Sequence, residues 1–576
     1  MASEPKIPKR SSEHVSQDLE FITIPGDALD RTPKTLDSVS EKGVGTAPSP
    51  NAAPQKPMAR GSWSLALVTL SLALGTFLIA LDTTIVGIAI PTITTQFHSL
   101  DDIAWYGSAY LITLTALQPS FGRIYKLYSV KNTYLACVAV FEVGSIICAS
   151  APRSAVFIVG RAIAGCGAAG LFQGALNIIT NTVPLQKRPQ YMGIVISVFG
   201  ISACVGPVLG GAFTQGVSWR WCFWVNVPIG AFTFFLVLIF LKHKEDKPHP
   251  GTILEQMKQL DPIGAATIIA AVCCLFLALQ WGGHSKPWKS ATIIGLFIGF
   301  GMLFFFFCFA QYKMGENATT PLRVLRQRSI LFGALFLFSS AMSAYVYGYY
   351  LPIYFQSIKG SSPTKSGLQF MALALPQIFA LILAGALTTK WGHYVPYMIV
   401  GTAINVVGSG FLITLDTDTP TLKWAAYMVV TGIGTGIGVN LPYTAVQVVL
   451  PEIDIPLGNA ISQFAYQLGA SIGLAVGQTL FLNQLTSELS KRTSLVSPAA
   501  VIAAGASDLQ RLAPTPELLR ILLESYASAI RHALIFALAV VCLAFAFTFG
   551  MEHRNVKTAA EKGIVEGTNV QTREEA

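Results

Sequence analysis

Apolar runs of spanning length alternate with short polar connections along almost the whole chain. They begin near Trp63, Ile103, Thr133, Ala155, Met192, Trp221, Ile263, Ala291, Ile330, Leu368, Val395, Trp424, Asn459 and His532. At a rise of about 1.5 Å per residue, a run of roughly 20 residues crosses the hydrocarbon core of a bilayer. The pattern therefore predicts an all-α membrane protein with about 14 transmembrane helices, the boundary between the seventh and eighth being the least sharply drawn. Two stretches break the pattern. Residues 1–61 are polar, charged and rich in Pro and Ser, which predicts a disordered tail without a cleavable leader. Residues 485–528 form the longest hydrophilic interruption between helices and read as an extracellular loop.

The chain also repeats itself. Gly122 and Gly385 each follow a spanning run and open a short basic loop, and their numbers differ by about 263. The same offset carries Gly206 and Gly210 onto Gly469 and Gly473. With 50 glycines some coincidence is expected, yet matching contexts point to two pseudo-symmetric six-helix bundles plus two inserted helices. The expected division is a cytosolic tail 1–61, an N-terminal bundle 62–242, a linker and two inserted helices 243–312, a C-terminal bundle 313–552 and a cytosolic tail 553–576.

Composition narrows the class. Hydrophobic residues make up 52% of the 576 and charged residues 12%, about half the charged share of a soluble domain. The formal net charge of +9 then reports topology and anionic lipid rather than nucleic acid. Loops after even-numbered helices carry Arg123, Lys126, Lys131, Lys187, Arg188 and Arg323 among others, roughly twice the Lys and Arg of the opposite short loops. Both termini are therefore expected in the cytosol, and the sequon Asn317-Ala318-Thr319 on that side should be unmodified. The 9 cysteines lie in or beside apolar runs without metal spacing, which predicts packing rather than a disulfide framework. No nucleotide-binding loop, histidine cluster or nucleophile motif is present, so no catalytic residue, cofactor or metal is expected.

Few ionisable groups fall inside the apolar runs. Asp82, Glu142 and Arg161 each sit about 10–15 Å below the outer surface when residues are counted back from the helix ends. A carboxylate there costs several kcal/mol unless paired, hydrated or protonated. Asp82 reaching outer water and Arg161 bonded to backbone carbonyls are structural alternatives to a proton-handling cluster. Helices 9 to 13 have no charged residue at mid-depth; they present Tyr349, Tyr350 and Gln356, then Gln463 and Gln467 one turn apart. Such a wall suits a neutral or amphipathic compound, although aromatics near a helix end also serve as an interfacial belt.

One stretch organises the chain. Gly206, Pro207, Gly210 and Gly211 lie in Gly206-Pro207-Val208-Leu209-Gly210-Gly211, where the one-turn glycine spacing admits a close neighbouring helix and the proline favours a kink. Trp219-Arg220-Trp221, Phe223, Asn226, Pro228 and Gly230 follow. Together these resemble the antiporter signature of the major facilitator superfamily, in its 14-helix drug:proton antiporter branch, and fungal toxin and secondary-metabolite efflux pumps match it most nearly. Leu81-Asp82-Thr83-Thr84-Ile85-Val86 is similar to that branch's first-helix signature, and Gly160-Arg161 with Gly165 and Gly167 to its fourth-helix motif. The resemblance implies proton-coupled efflux of a small hydrophobic or amphipathic compound, a toxin, metabolite or drug. Asp82, Arg161 and Glu142 would then handle the proton, and the membrane would be the plasma membrane or the vacuolar one. Small molecule, protons and lipid are the partners implied, with no protein partner evident. A siderophore or basic-solute carrier, or a non-transporting receptor on the same scaffold, are the rival readings. The resemblance fails at Gly122-Arg123-Ile124-Tyr125-Lys126, where the superfamily's loop carries an acid and this chain carries Lys126, so the family's gating salt bridge is not carried over.

Overall fold

The computed structural model describes residues 62–97, 102–241, 260–283, 286–504 and 509–561. The tail 1–61, most of 553–576 and the linker residues 242–259 lie outside these. The described residues form helices and connecting turns, with two isolated bridges and no strand. Fourteen long helices follow one another: α1 Ser62–Phe97, α2 Ile103–Leu127, α3 Val130–Ser150, α4 Ser154–Thr182, α5 Arg188–Gly216, α6 Asn226–Phe240, α7 Pro262–Trp281, α8 Ala291–Met314, α9 Arg328–Ser357, α10 Pro363–Trp391, α11 Val395–Leu412, α12 Thr421–Val439, α13 Ile455–Arg492 and α14 Pro516–Thr548.

Among the described residues, 12 helices are long and apolar enough to cross a membrane. The expected count of 14 is not met by that measure, because α2 and α13 are long but too polar. Gln118, Arg123 and Lys126 lower the apolarity of α2, and Asn459, Gln463, Gln467 and the charged end at Lys491 and Arg492 lower that of α13. Gln118, Arg123, Asn459, Gln463 and Gln467 are buried among other helices, whereas Lys491 and Arg492 are exposed at the end of α13.

The expected extracellular loop is largely helical. α13 runs on to Arg492, α14 starts at Pro516 rather than near His532, and two short helices lie between them. Leu485, Leu489, Val501, Leu509, Leu522 and Tyr526 supply an apolar core that the hydrophilic average conceals. Arg492 bonds Glu488 and Glu524 at 2.9 and 2.8 Å along its surface. At the other end of the chain, Val556 is buried and its amide donates to Gly392 at 2.8 Å. Gly392 closes α10 at φ 81°, a conformation that suits glycine.

The packing pattern repeats. α1 lies on α5 and α6, α2 and α3 on α4, and α3 on α6; α9 lies on α13 and α14, α10 and α11 on α12, and α11 on α14. Between the two sets, α5 meets α10 and α2 meets α13. The paired glycines occupy equivalent places in it. A Cβ on Gly206 would run into Thr84 of α1, and one on Gly469 or Gly473 into the α9 backbone at Phe338 or Met342. Gly122 of α2 faces Ala460 of α13, and Gly385 of α10 faces Pro189 of α5. Backbone cannot yield as a side chain can, so Gly473→Leu is expected to remove export at equal surface abundance. Gly211→Leu should be close to wild type, because a Cβ there meets nothing within 4 Å. Export of a labelled compound, normalised to surface protein, separates the two.

α7 and α8 form a hairpin held on α2. Ile268, Val272 and Phe276 of α7 and Phe307 of α8 pack with Ile112 and Ala116, and Ser108 bonds Gln280 at 2.7 Å. Asp261, at φ 52°, caps α7 through the Gly264 amide at 2.7 Å. Its other oxygen accepts from Gln311 at 2.7 Å and from the Thr319 hydroxyl and amide at 2.8 and 3.0 Å. The sequon threonine is thus buried and bonded within the protein.

Candidate functional site

Asp82 and Arg161, which their common depth leaves free to meet, come together in the structure. α1 and α4 are adjacent, and the glycines along α4 let α2 and α3 approach it closely: a Cβ on Gly165 would meet Tyr110 and Thr113, and one on Gly167 the Phe141 backbone. Arg161 is 2% exposed and Asp82 0%. The guanidinium donates to Asp82 Oδ2 at 2.5 Å and, through Nε, to the Tyr106 carbonyl at 2.8 Å. Its carbon lies 4.4 Å from the Tyr110 ring centroid and 6.0 Å from that of Phe223. A planar cation between aromatic faces keeps its charge at modest cost when the counter-ion is also present. Sequence reasoning singled out the two charges but missed Tyr106 and Tyr110. Their signal was two tyrosines one turn apart at the start of α2.

Glu142 shares the layer but not the cluster. Its side chain turns to α6, where Gly230 leaves the room it fills, and both carboxyl oxygens are buried without a hydrogen-bond partner. Asp82 remains within electrostatic range. The tryptophan motif ahead of α6 is an anchor: Trp219 bonds Gln96 at 2.5 Å and packs edge-on against Phe97, Phe157 and Phe223, while Arg220 stacks on it and bonds the Ala151 carbonyl at 2.8 Å.

The glutamines and tyrosines of the second half divide. Gln463 is buried and accepts from the Tyr443 hydroxyl at 2.6 Å; Gln467 is buried one turn further along α13. Tyr345 of α9 lies within electrostatic range of both Tyr110 and Tyr466, which brings aromatic residues of both halves towards Arg161. Tyr350 is 0% exposed and packs against Phe481 of α13, whereas its neighbour Tyr349 is 49% exposed. Gln356 is half-buried near the end of α9. Gly206, Pro207, Gly210 and Gly211 all fall within α5.

The basic loops meet at one end. Lys126, at the end of α2, bonds Asp454 at 2.8 Å, and Arg323 bonds the other oxygen at 2.7 Å. Asp454 is 1% exposed and immediately precedes α13. Burial opposes its charge, but the hydrogen bonds and charges of Lys126 and Arg323 prevail and hold its carboxyl below the usual range. Nearby, Arg188 reaches Gln447 and Glu452 at 3.3 Å each, Thr180 bonds Gln447 at 2.8 Å, and Asn440 bonds the Pro189 carbonyl at 3.1 Å. An ion pair thus stands where the missing acid argued against one; its polarity is reversed, the cation being on α2 and the anion before α13.

Among the described residues no group of three His, Cys, Asp or Glu is arranged to hold a metal. The cysteines are unpaired. A cavity of about 260 Å³ lies between the turn of the α7–α8 hairpin and α13, lined by Trp288, Gln478 and Asn483 among others; Arg161 does not border it.

The model of the Major Facilitator Superfamily matches residues 72–474. The MFS-type efflux pump MFS1 of Arthroderma benhamiae is 42% identical over 475 residues, covering 82% of this chain and 88% of that protein. The aspyridones efflux protein of Neocamarosporium betae is 39% identical over 477 residues, covering 82% and 84%. A crystal structure of a XylE double tryptophan mutant superposes with a TM-score of 0.58 at 14% identity, covering 88% of this chain and 99% of that one.

Proposed function

This chain belongs to the Major Facilitator Superfamily, and we propose that it exports a small hydrophobic or amphipathic compound, a toxin or secondary metabolite, in exchange for protons. The observation that carries this reading is the layer of buried ionisable groups in the first half, the Asp82–Arg161 pair and the unpaired Glu142 carboxyl, beside a second half that offers tyrosines and amides but no mid-depth charge. A proton acts on the first half and a neutral cargo is held by the second. Relatives bearing the names of efflux pumps support the direction of transport.

Fourteen spans fit this reading better than twelve. α2 and α13 form the seam between the halves, where protein rather than lipid covers Gln118, Gln463 and Gln467, so their polarity need not exclude them from the bilayer. The helices then divide into bundles 62–242 and 313–552 with the α7–α8 hairpin inserted between them. The excess of Lys and Arg around Lys126 puts that end, and both termini, in the cytosol. The plasma membrane is the natural site for a toxin exporter.

Inside-out vesicles test the proposal. Acidifying the lumen should drive uptake of a labelled candidate compound, and a protonophore should collapse it. Uptake indifferent to the pH gradient would remove proton coupling. Cargo recognition has its own test. Tyr349→Ala, at an accessible position, should change which compounds are exported while leaving protein abundance unaltered. Tyr350→Ala empties a packed site against Phe481 and should cost about 3–5 kcal/mol of stability, lowering abundance and every transport rate together. A panel of compounds assayed against surface protein separates the two.

A further inference from the structure

The segment Asn226-Val227-Pro228-Ile229-Gly230 follows the anchoring tryptophans at the start of α6, and nothing in the proposed cycle uses it. Its contacts point to Glu142. Gly230 is placed so that a Cβ would occupy the position of the Glu142 carboxyl group, so the absence of a side chain is what admits the acid. One turn earlier, Asn226 is 0% exposed and donates to Ser145 of α3 at 3.3 Å, leaving its Oδ1 buried and unpaired. One turn later, the Thr233 hydroxyl is also buried and unpaired. Ser145 follows Glu142 by one turn of α3, so Glu142, Ser145 and Asn226 share the seam between α3 and α6, while Thr233 lies beside Gly75 of α1.

Charge decides what this seam can hold. α6 presents no ionisable side chain between Asn226 and Phe240. The charged groups of the neighbouring helices, Asp82 of α1 and Arg161 of α4, already neutralise each other. An ionised Glu142 would leave this layer with a net negative charge and no cation to answer it. A protonated Glu142 leaves it neutral, and its O–H is a donor in a seam that offers an unpaired acceptor at Asn226.

We infer that Glu142, seated against Gly230 and Asn226, is the group that carries the exchanged proton, while Asp82 and Arg161 remain an ion pair throughout the cycle. This rests on the proton-coupled reading and deepens it. In the proposed step a proton from external water forms the carboxyl O–H of Glu142 and cancels its charge. When the site communicates with the cytosol the O–H bond breaks, the proton passes to water, and the carboxylate is left with Asp82 nearby. Neither step needs a redox partner or cofactor.

The test uses the full-length protein in membranes and dicyclohexylcarbodiimide, an apolar reagent that modifies protonated carboxyl groups in apolar surroundings. Peptide mapping should find the label on Glu142 and not on Asp82. The labelling rate should fall about tenfold for each pH unit above the group's pKa. Glu142→Gln should abolish the label and gradient-driven uptake yet retain counterflow of labelled compound, which needs no net proton movement. Glu142→Asp should recover labelling and part of the coupling, and Gly230→Ala should slow labelling by displacing the acid. Label on Asp82 instead, no label on Glu142 at any pH, or gradient-driven uptake in Glu142→Gln would overturn the assignment. Wild-type uptake that ignores the gradient, with Glu142 still labelled, would refute the coupled reading and leave the proton site standing.

Discussion

Asp82→Asn and Arg161→Gln are each expected to abolish export and to lower the amount of folded protein, and combining them should recover the protein without recovering transport. Each single change removes one charge of a pair that is 0% and 2% exposed, leaving the other stranded in a low-dielectric interior. Breaking such a pair costs about 3–5 kcal/mol, whereas replacing both members by neutral groups is often close to neutral. The double variant keeps an amide opposite an amide, with hydrogen-bonding capacity intact and no net charge. Arg161→Lys should fail as well, because an ammonium cannot satisfy Asp82 and the Tyr106 carbonyl while lying flat on Tyr110. The measurements are thermal unfolding of the solubilised protein and export per molecule at the surface. Additive losses in the double variant would mean that the two side chains act separately. By contrast Glu142→Gln, at an unpaired site, should leave stability nearly unchanged.

What could be read from the sequence followed from one-dimensional regularities. Helix rise converts residue number into depth, so counting back from helix ends put Asp82 and Arg161 in one layer, and the structure pairs them. Depth carries no azimuth, which is why Glu142, in the same layer, could not be told to face α6 instead. Adjacent residues on a helix point about 100° apart, so Tyr349 and Tyr350 have different surroundings although the sequence treats them alike. The glycine offset was legible because close helix approach tolerates few other residues, and it carried from α5 against α1 to α13 against α9. Average polarity misled over residues 485–528, where it hid the apolar positions, and it sets α2 and α13 apart from the 12 apolar helices because it counts polar residues such as Gln118, Asn459 and Gln463 that are buried among helices. Lys126 was correctly seen to depart from the family's loop. Its partner Asp454 lies so far along the chain that only the meeting of α2 with α13 could reveal it.

That partner leads to a distinct prediction about the end where α2 meets α13, which the proposed orientation puts in the cytosol. Asp454 is clamped from two segments, by Lys126 at the end of α2 and by Arg323 ahead of α9, and so ties the two halves together where Gly122 lies against Ala460. Asp454→Asn is therefore expected to loosen this end and shift the population towards a cytosol-open state. Asp454 and Lys126 are largely buried but Arg323 is half-exposed, which discounts its share through solvent screening. A net effect of about 1–2 kcal/mol corresponds to roughly a tenfold change in the ratio of the two states. The reporter is Ala460→Cys, a position buried in the closed arrangement, alkylated by a membrane-impermeant maleimide applied from the cytosolic side. Alkylation should be about tenfold faster in Asp454→Asn, and adding Lys126→Gln should produce no further increase, since its partner has already gone. The clamp should also be insensitive to cytosolic pH. Its carboxyl titrates below the ordinary carboxylate range, so the stabilisation is complete at neutral pH and fades only in acid that the cytosol never reaches. If Lys126→Gln accelerated alkylation equally with and without Asp454, the cation would be acting through something other than this ion pair, and the reversed polarity of the loop would have no part in holding the cytosolic end shut.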